Sequence, residues 1–196
     1  MELILASASQ RRQYLMRMCG YEFTVIPSKA AEKADCEDPG ELVKRLSLLK
    51  AEEVFLSLPP ERRSCAAVVG SDTVVVLDGR IIGKPRSEDE AFQMLRAESG
   101  RVNRVYTGLA VVTQGENGPV SRACFDMASV SFAELADEEI LDYIATGDPM
   151  DKAGAYGIQG RFSLHINGIE GSYFTVVGLP LHLLYRELKA IGITPR

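Results

Sequence analysis

The chain has 196 residues, 46% of them hydrophobic and 25% charged, with a formal net charge of −5 at pH 7. That is the composition of a soluble globular protein long enough for one large domain over 1–196, with no apolar run near the length of about 18 residues that a membrane helix needs. The acidic balance excludes sequence-independent binding to long nucleic acid, which needs a dominant basic face, so any phosphate ligand is held locally.

Strand and helix patterns alternate along the chain without repeats, low-complexity tracts or a long linker, which predicts an α/β architecture. Glu2 to Leu5 reads as a strand and carries none of the marks of a secretory signal. Ser9 then caps a helix from Gln10 to Cys19 that stops at Gly20. Glu22 to Ile26 is a second strand, and Pro39 to Leu56 is helical, with Leu42, Val43, Leu46, Leu49 and Val54 along one side and Lys50 inside it. Ala66 to Gly70 and Val74 to Leu77 are apolar strand runs, and Asp78-Gly79 marks a two-residue hairpin before Arg80-Ile81-Ile82. Pairing Leu77 with Arg80 sets Thr73 opposite Lys84 and Asp72 opposite Pro85, so Asp72 and Lys84 share the open end of the hairpin.

Ser87-Glu88-Asp89-Glu90 fits a capping box opening a helix to about Glu98. A second hairpin is predicted from Leu109 to Thr113 and Arg122 to Phe132, then a helix from about Asp137 to Thr146 and the loop Gly147 to Gly160. Strands near Phe162 to Ile166 and Ser172 to Val177 follow, and a last helix begins with Pro180 and ends at Gly192. The four cysteines, Cys19, Cys36, Cys65 and Cys124, lie far apart with no CxxC spacing. They read as free thiols of a reducing compartment, which points to the cytoplasm.

Three stretches could carry chemistry. In Leu5-Ala6-Ser7-Ala8-Ser9-Gln10-Arg11-Arg12 a strand runs into a helix start bearing hydroxyls and two guanidinium groups, the parts of a phosphate cradle; equally, Ser9 is only a cap and both arginines are solvated. In Gly70-Ser71-Asp72-Thr73 with Gly83-Lys84-Pro85, a carboxylate at a strand end can bind a hard divalent cation or orient water beside an ammonium that neutralises phosphate. The same residues could be an Asp–Lys ion pair closing the sheet. Asp148 to Gly160 is rich in glycine, letting a ligand approach the backbone, and Gln159 can read a base or sugar edge; otherwise it is a connecting loop, long for one without function. His165 and His182 sit among apolar residues and read as structural. The chain has no GxxxxGK[ST], GxSxG, HxxxH or CxxC, so P-loop, serine-hydrolase and zinc chemistries lack their parts.

Over essentially its whole length the chain resembles the Maf family of nucleotide pyrophosphatases. The resemblance is carried by the three stretches above together with Ser99-Gly100, Val105-Tyr106-Thr107-Gly108 and Val177-Gly178-Leu179-Pro180. It implies a mixed α/β fold around an extended twisted sheet, similar to that of the inosine-triphosphate pyrophosphatases, with two lobes around a cleft, and a homodimer. It also implies hydrolysis of nucleoside triphosphates to monophosphate and pyrophosphate with Mg²⁺ or Mn²⁺.

Residue by residue, the resemblance assigns Asp72 as the central catalytic carboxylate, Glu32 as a second acid and Lys84 as a catalytic lysine, with Asp72 and Glu32 holding the metal. Ser7, Arg11, Arg12, Lys50, Thr73, Lys152 and Gln159 would bind substrate. Arg11-Arg12, Thr73 and Gln159 match the branch that prefers dTTP and UTP over the one that takes methylated guanosine triphosphate. Gln10, Asn103 and Thr175 depart from the proline, histidine and asparagine frequent in the family, and none of these changes removes a charged cleft residue. The family's association with cell division leaves a nucleotide-binding regulator as the alternative to an enzyme.

Overall fold

The computed structural model describes residues 1–31 and 36–196. Among these residues seven strands form one mixed sheet: β1 (Glu2–Leu5), β2 (Thr24–Val25), β3 (Ala66–Leu77), β4 (Arg80–Ile82), β5 (Val102–Gly115), β6 (Gly118–Phe132) and β7 (Ile166–Glu170). Their order is β2-β1-β3-β5-β6-β7, with β4 added to β3. Among the described residues seven helices accompany them: α1 (Gln10–Met18), α2 (Pro39–Ser57), α3 (Pro60–Arg63), α4 (Glu88–Glu98), α5 (Asp137–Ile144), α6 (Tyr173–Val177) and α7 (Leu181–Lys189). The expected mixed α/β sheet with flanking helices is therefore present. The chain divides into two compact units, Met1–Asp72 with Thr107–Asp126 and Gly178–Arg196, and Thr73–Tyr106 with Met127–Val177.

In the first unit β1 pairs in parallel with both β2 and β3, Leu5 lying beside Val25 and Val69. Strands that pair in parallel are covered on both faces and read as continuous apolar runs, as Leu3 to Ala6 and Ala66 to Val69 do. Ile4, Val68, Ala110 and Val112 meet Ala51, Val54 and Phe55 of α2 in its core. Helix α2 begins where Pro39 takes the first position and the Asp38 carboxylate accepts from the Glu41 amide at 2.8 Å. Its buried side includes Leu42, Val43, Leu46 and Val54 as expected, whereas Leu49 is exposed and Ser47, Ala51 and Phe55 are buried in addition.

The second unit holds the Asp78-Gly79 hairpin. Both turn residues are left-handed (φ 52° and 76°), as a two-residue turn matching strand twist requires, and the register pairs Leu77 with Arg80 and Val75 with Ile82. That is the expected register, although the ladder ends at Ile82. Ser87 caps α4 by accepting from the Glu90 amide at 3.1 Å, but the Glu90 carboxylate reaches back one residue further than a capping box requires, to the Arg86 amide at 2.7 Å. Phe162 packs against Phe132, Tyr143 and Tyr156 at ring-centroid distances of 4.7–5.9 Å, the aromatic core of this unit.

Two expectations near the end of the chain fail. Arg161–His165 is a 3₁₀ turn, and the strand comes after it, at Ile166–Glu170, paired antiparallel with β6. Ser172 to Val177 is not a strand: Gly171 (φ 111°) ends β7, and the Ser172 carbonyl then accepts from the amides of Thr175 and Val176, winding α6. The β-branched Thr175-Val176-Val177 run favours a strand, but the pairing edge is already taken by β7 and Thr175 is fully buried in the helical turn. The loop after α5 also contains structure, 3₁₀ turns at Asp148–Asp151 and Ala153–Ala155. All four cysteines are free, and among the described residues no helix is long and apolar enough to cross a membrane.

Candidate active site

At the end of β1 the chain turns into α1 through Ser7, which is buried, and Ser9, which caps the helix. The Ser7 hydroxyl oxygen accepts from the Ser9 amide at 3.3 Å and from an Arg12 terminal nitrogen at 3.2 Å. Arg12 is aimed further by its Nε, which donates to the Gly178 carbonyl at 2.8 Å. Arg11 precedes it in the same first turn, half-buried. Two guanidinium groups thus stand at a helix N-terminus that already favours anions.

The Gly178 carbonyl joins this corner to β3. Ser71, fully buried, directs its hydroxyl at the carbonyls of Gly108 (2.8 Å) and Gly178 (3.1 Å), and the next residue is Asp72. The Asp72 carboxylate accepts from the Lys50 ammonium at 2.5 Å, each side chain only 12% exposed. Lys50 arrives there because α2 lies almost on the sheet: a Cβ at Gly70 would stand 2.1 Å from the Ser47 carbonyl oxygen, and one at Gly108 would stand 2.2 Å from that of Val43. Ser7, Arg11, Arg12, Lys50 and Asp72 all belong to the first unit. Ser7, Arg12, Lys50 and Asp72 are linked within it by these bonds and by the one residue step from Ser71 to Asp72.

The second unit carries Thr73, Lys84, Lys152 and Gln159. Thr73 is half-buried in β3, and Lys84 is exposed just past β4. The Gly83 carbonyl accepts from the Gly154 amide at 3.0 Å, tying the residue before Lys84 to the glycine-rich loop. Within that loop Lys152 is held by the Asp148 carbonyl (2.6 Å) and by the carboxylates of Asp148 (2.9 Å) and Asp151 (2.6 Å). Tyr143 donates to Asp148 at 2.6 Å and accepts from the Gly157 amide at 3.1 Å; burial, then the Asp148 contact, push its phenol well above the usual range. Gln159 follows, half-buried.

Beneath the loop lies a buried acid. Glu98, at the end of α4, is fully buried; its Oε1 accepts from the Asn103 amide at 2.8 Å, while its buried Oε2 has no hydrogen-bond partner among the described residues. Asn103 also bonds the Tyr156 hydroxyl at 3.3 Å. Burial pushes the Glu98 carboxyl up to about 8, against a smaller lowering by Asn103. Glu32 lies outside the described residues. Among those described, no group of three His, Cys, Asp or Glu side chains converges as a preformed metal site.

Compared with known sequences, the chain matches the family model of Maf-like proteins over residues 2–191. It belongs to the Maf family. Its relatives include a dTTP/UTP pyrophosphatase of Agathobacter rectalis, 45% identical with 98% of each chain covered, and one of Thermococcus onnurineus, 44% identical with 97% of each covered. A third, from Symbiobacterium thermophilum, is 45% identical over 97% of this chain and 94% of its own.

The Maf motifs contain residues whose work the sequence reading did not assign. Ser71 and the Gly178 carbonyl connect the arginine corner to the strand bearing Asp72, and their presence inside the matching segments was the only signal. Glu98 carried none, since a glutamate closing an acidic helix reads as a solvated one. Gly70 reads only as the end of a strand run and Gly108 only as part of a matching segment, but their use is close helix packing. Gly70→Ala is expected to lower unfolding stability by about 1–3 kcal/mol, because backbone rather than a flexible side chain must yield. A melting temperature equal to that of the unsubstituted protein would show that α2 has more room than the structure gives it.

Proposed function

We propose that this Maf protein is a cytoplasmic enzyme that hydrolyses dTTP and UTP to the monophosphate and pyrophosphate, residues 1–196 acting as a single functional domain and assembling as a homodimer. The observation that carries the reading is the Lys50–Asp72 pair, joined through Ser71 and the Gly178 carbonyl to Arg12 and Ser7. One carboxylate beside preplaced cations is what phosphoanhydride hydrolysis needs, since no covalent nucleophile takes part and positioning and charge stabilisation supply most of the rate. The names of the relatives support the substrate, and the free thiols support the compartment.

In this reading Asp72 aligns a water for attack on the α-phosphorus. Arg11, Arg12, Lys50 and Lys84 neutralise the triphosphate, whose bridging oxygen gains charge as pyrophosphate leaves. Ser7 orients Arg12 and offers its hydroxyl to a phosphate oxygen, while Thr73, Lys152 and Gln159 contact the rest of the nucleotide. The donor set suits a hard divalent cation: such ions bind through one or two protein carboxylates plus substrate phosphates rather than in a full protein cage. Asp72 and Glu32 would hold Mg²⁺ or Mn²⁺, which when bound supplies further neutralisation of phosphate charge.

The test is a panel of dTTP, UTP, CTP, GTP and a methylated GTP with each metal, pyrophosphate and orthophosphate being quantified separately. Metal-dependent pyrophosphate, fastest from dTTP and UTP, is expected. Tight binding without product would favour a regulator of cell division instead, and orthophosphate alone would identify a γ-phosphatase. Sedimentation as a single 21.4 kDa chain at working concentration would remove the dimer from the reading.

A further inference from the structure

The glycine-rich loop holds a conformation that it cannot maintain by itself. Ala155 is fully buried with φ 59°, a left-handed backbone that an alanine adopts only when its surroundings over-determine it. Its neighbours on both sides supply that constraint. Gly154 sits so close to Glu98 that a Cβ there would be 3.1 Å from Oε1, and its amide donates to the Gly83 carbonyl. Tyr156 is buried with its hydroxyl on Asn103, which in turn donates to Glu98. All of these residues lie within one unit, and both Gly154 and, through Asn103, Tyr156 lead to the Glu98 carboxyl.

Among the described residues that carboxyl has no cation to balance a charge. It faces the neutral amide of Asn103 from β5, the backbone of Gly154 and the phenol of Tyr156 from the loop, with Val75 of β3 alongside Gly154. On its own helix end, the Arg101 guanidinium is turned away, to the Ala97 carbonyl and to Asp78. A buried carboxylate with one oxygen lacking a partner is strongly disfavoured, whereas the neutral acid keeps the bond from Asn103 and leaves only an uncharged hydroxyl unpaired, the smaller cost.

We propose that Glu98 is a positioning residue: as a neutral acid joined to Asn103 and Tyr156 it seats the 151–160 loop, and losing its proton unseats the loop together with Lys152 and Gln159. Glu98 is fully buried and acts through the loop. Ionisation places a charge against the Gly154 backbone and the Tyr156 oxygen, and the cheapest relief is to open the loop to water. The consequence for catalysis rests on the reading of the loop as part of the nucleotide site, but the movement of the loop does not.

Amide hydrogen exchange of residues 151–160 in the nucleotide-free protein, corrected for the intrinsic pH dependence, tests the device without any turnover. Between about pH 6.5 and about pH 9.5 the loop of the unsubstituted protein should lose protection about tenfold or more, as expected for a group that ionises near the middle of that span. Glu98→Gln, which still accepts from Asn103 and cannot ionise, should keep its protection at both pH values. Glu98→Leu, which removes that acceptor, should leave the loop less protected at both. Equal loss in the unsubstituted and Glu98→Gln proteins, or full protection in Glu98→Leu, would overturn the proposal. With dTTP, KM should rise above about pH 8 while kcat changes less, and Glu98→Gln should flatten the KM profile. If the exchange results hold and no nucleotide is turned over, the pyrophosphatase reading fails while the seating device stands.

Discussion

Asp72→Asn is expected to lower kcat for dTTP by about 10³-fold or more while leaving a folded protein. The carboxylate is the acid paired with Lys50 at the strand joined to the arginine corner, and an amide neither takes a proton from water nor attracts a divalent ion. The substitution also leaves Lys50 with a neutral partner. Because the amide oxygen can still accept from the ammonium at the same place, the loss of stability should stay at about 1–3 kcal/mol. Circular dichroism and the melting temperature separate this modest cost from the catalytic one. Near-normal turnover by Asp72→Asn would mean that Asp72 is no more than the partner of a structural ion pair.

The second large effect is on stability and concerns Glu98. The carboxyl stands at 4.5 when unperturbed and at about 8 in the folded protein, raised first by burial. A raised folded value means that the folded state keeps a proton the unfolded chain releases. This contribution is therefore complete below about pH 4.5, declines as pH rises, and is gone above about pH 8. Converting the interval at about 1.4 kcal/mol per pH unit gives a loss on the order of 5 kcal/mol across that window. Urea unfolding at about pH 5 and about pH 9 should show Glu98→Gln resisting this decline, the difference between the two proteins isolating one group from all others that titrate. Parallel stability curves for the two proteins would contradict the burial of an unpaired acid.

Much of the fold was legible because it is written in local chemistry. Asp78-Gly79 dictates a two-residue turn with both residues left-handed, and that alone fixed the pairing of Leu77 with Arg80. Ser9 and Ser87 announced helix starts, while Pro39 placed the start of α2. What failed was decided at long range. Thr175-Val176-Val177 has strand propensity, but β6 already had a partner in β7 and the segment became a buried helical turn. The hairpin register says nothing of the Asp72 contact with Lys50, 22 residues earlier on α2. No spacing rule predicts that contact, because it depends on Gly70 and Gly108 admitting the helix backbone to the sheet. Glu98 was invisible for the same kind of reason, its burial being set by a loop more than fifty residues away.

The most direct test of the central claim is where water enters. A single turnover of dTTP in water enriched in oxygen-18, with the products analysed by mass, reports which phosphorus was attacked. Label in the monophosphate and none in the pyrophosphate is the predicted result, since Asp72 is taken to direct water at the α-phosphorus. Label in pyrophosphate, or in orthophosphate released from the γ-position, would contradict the account.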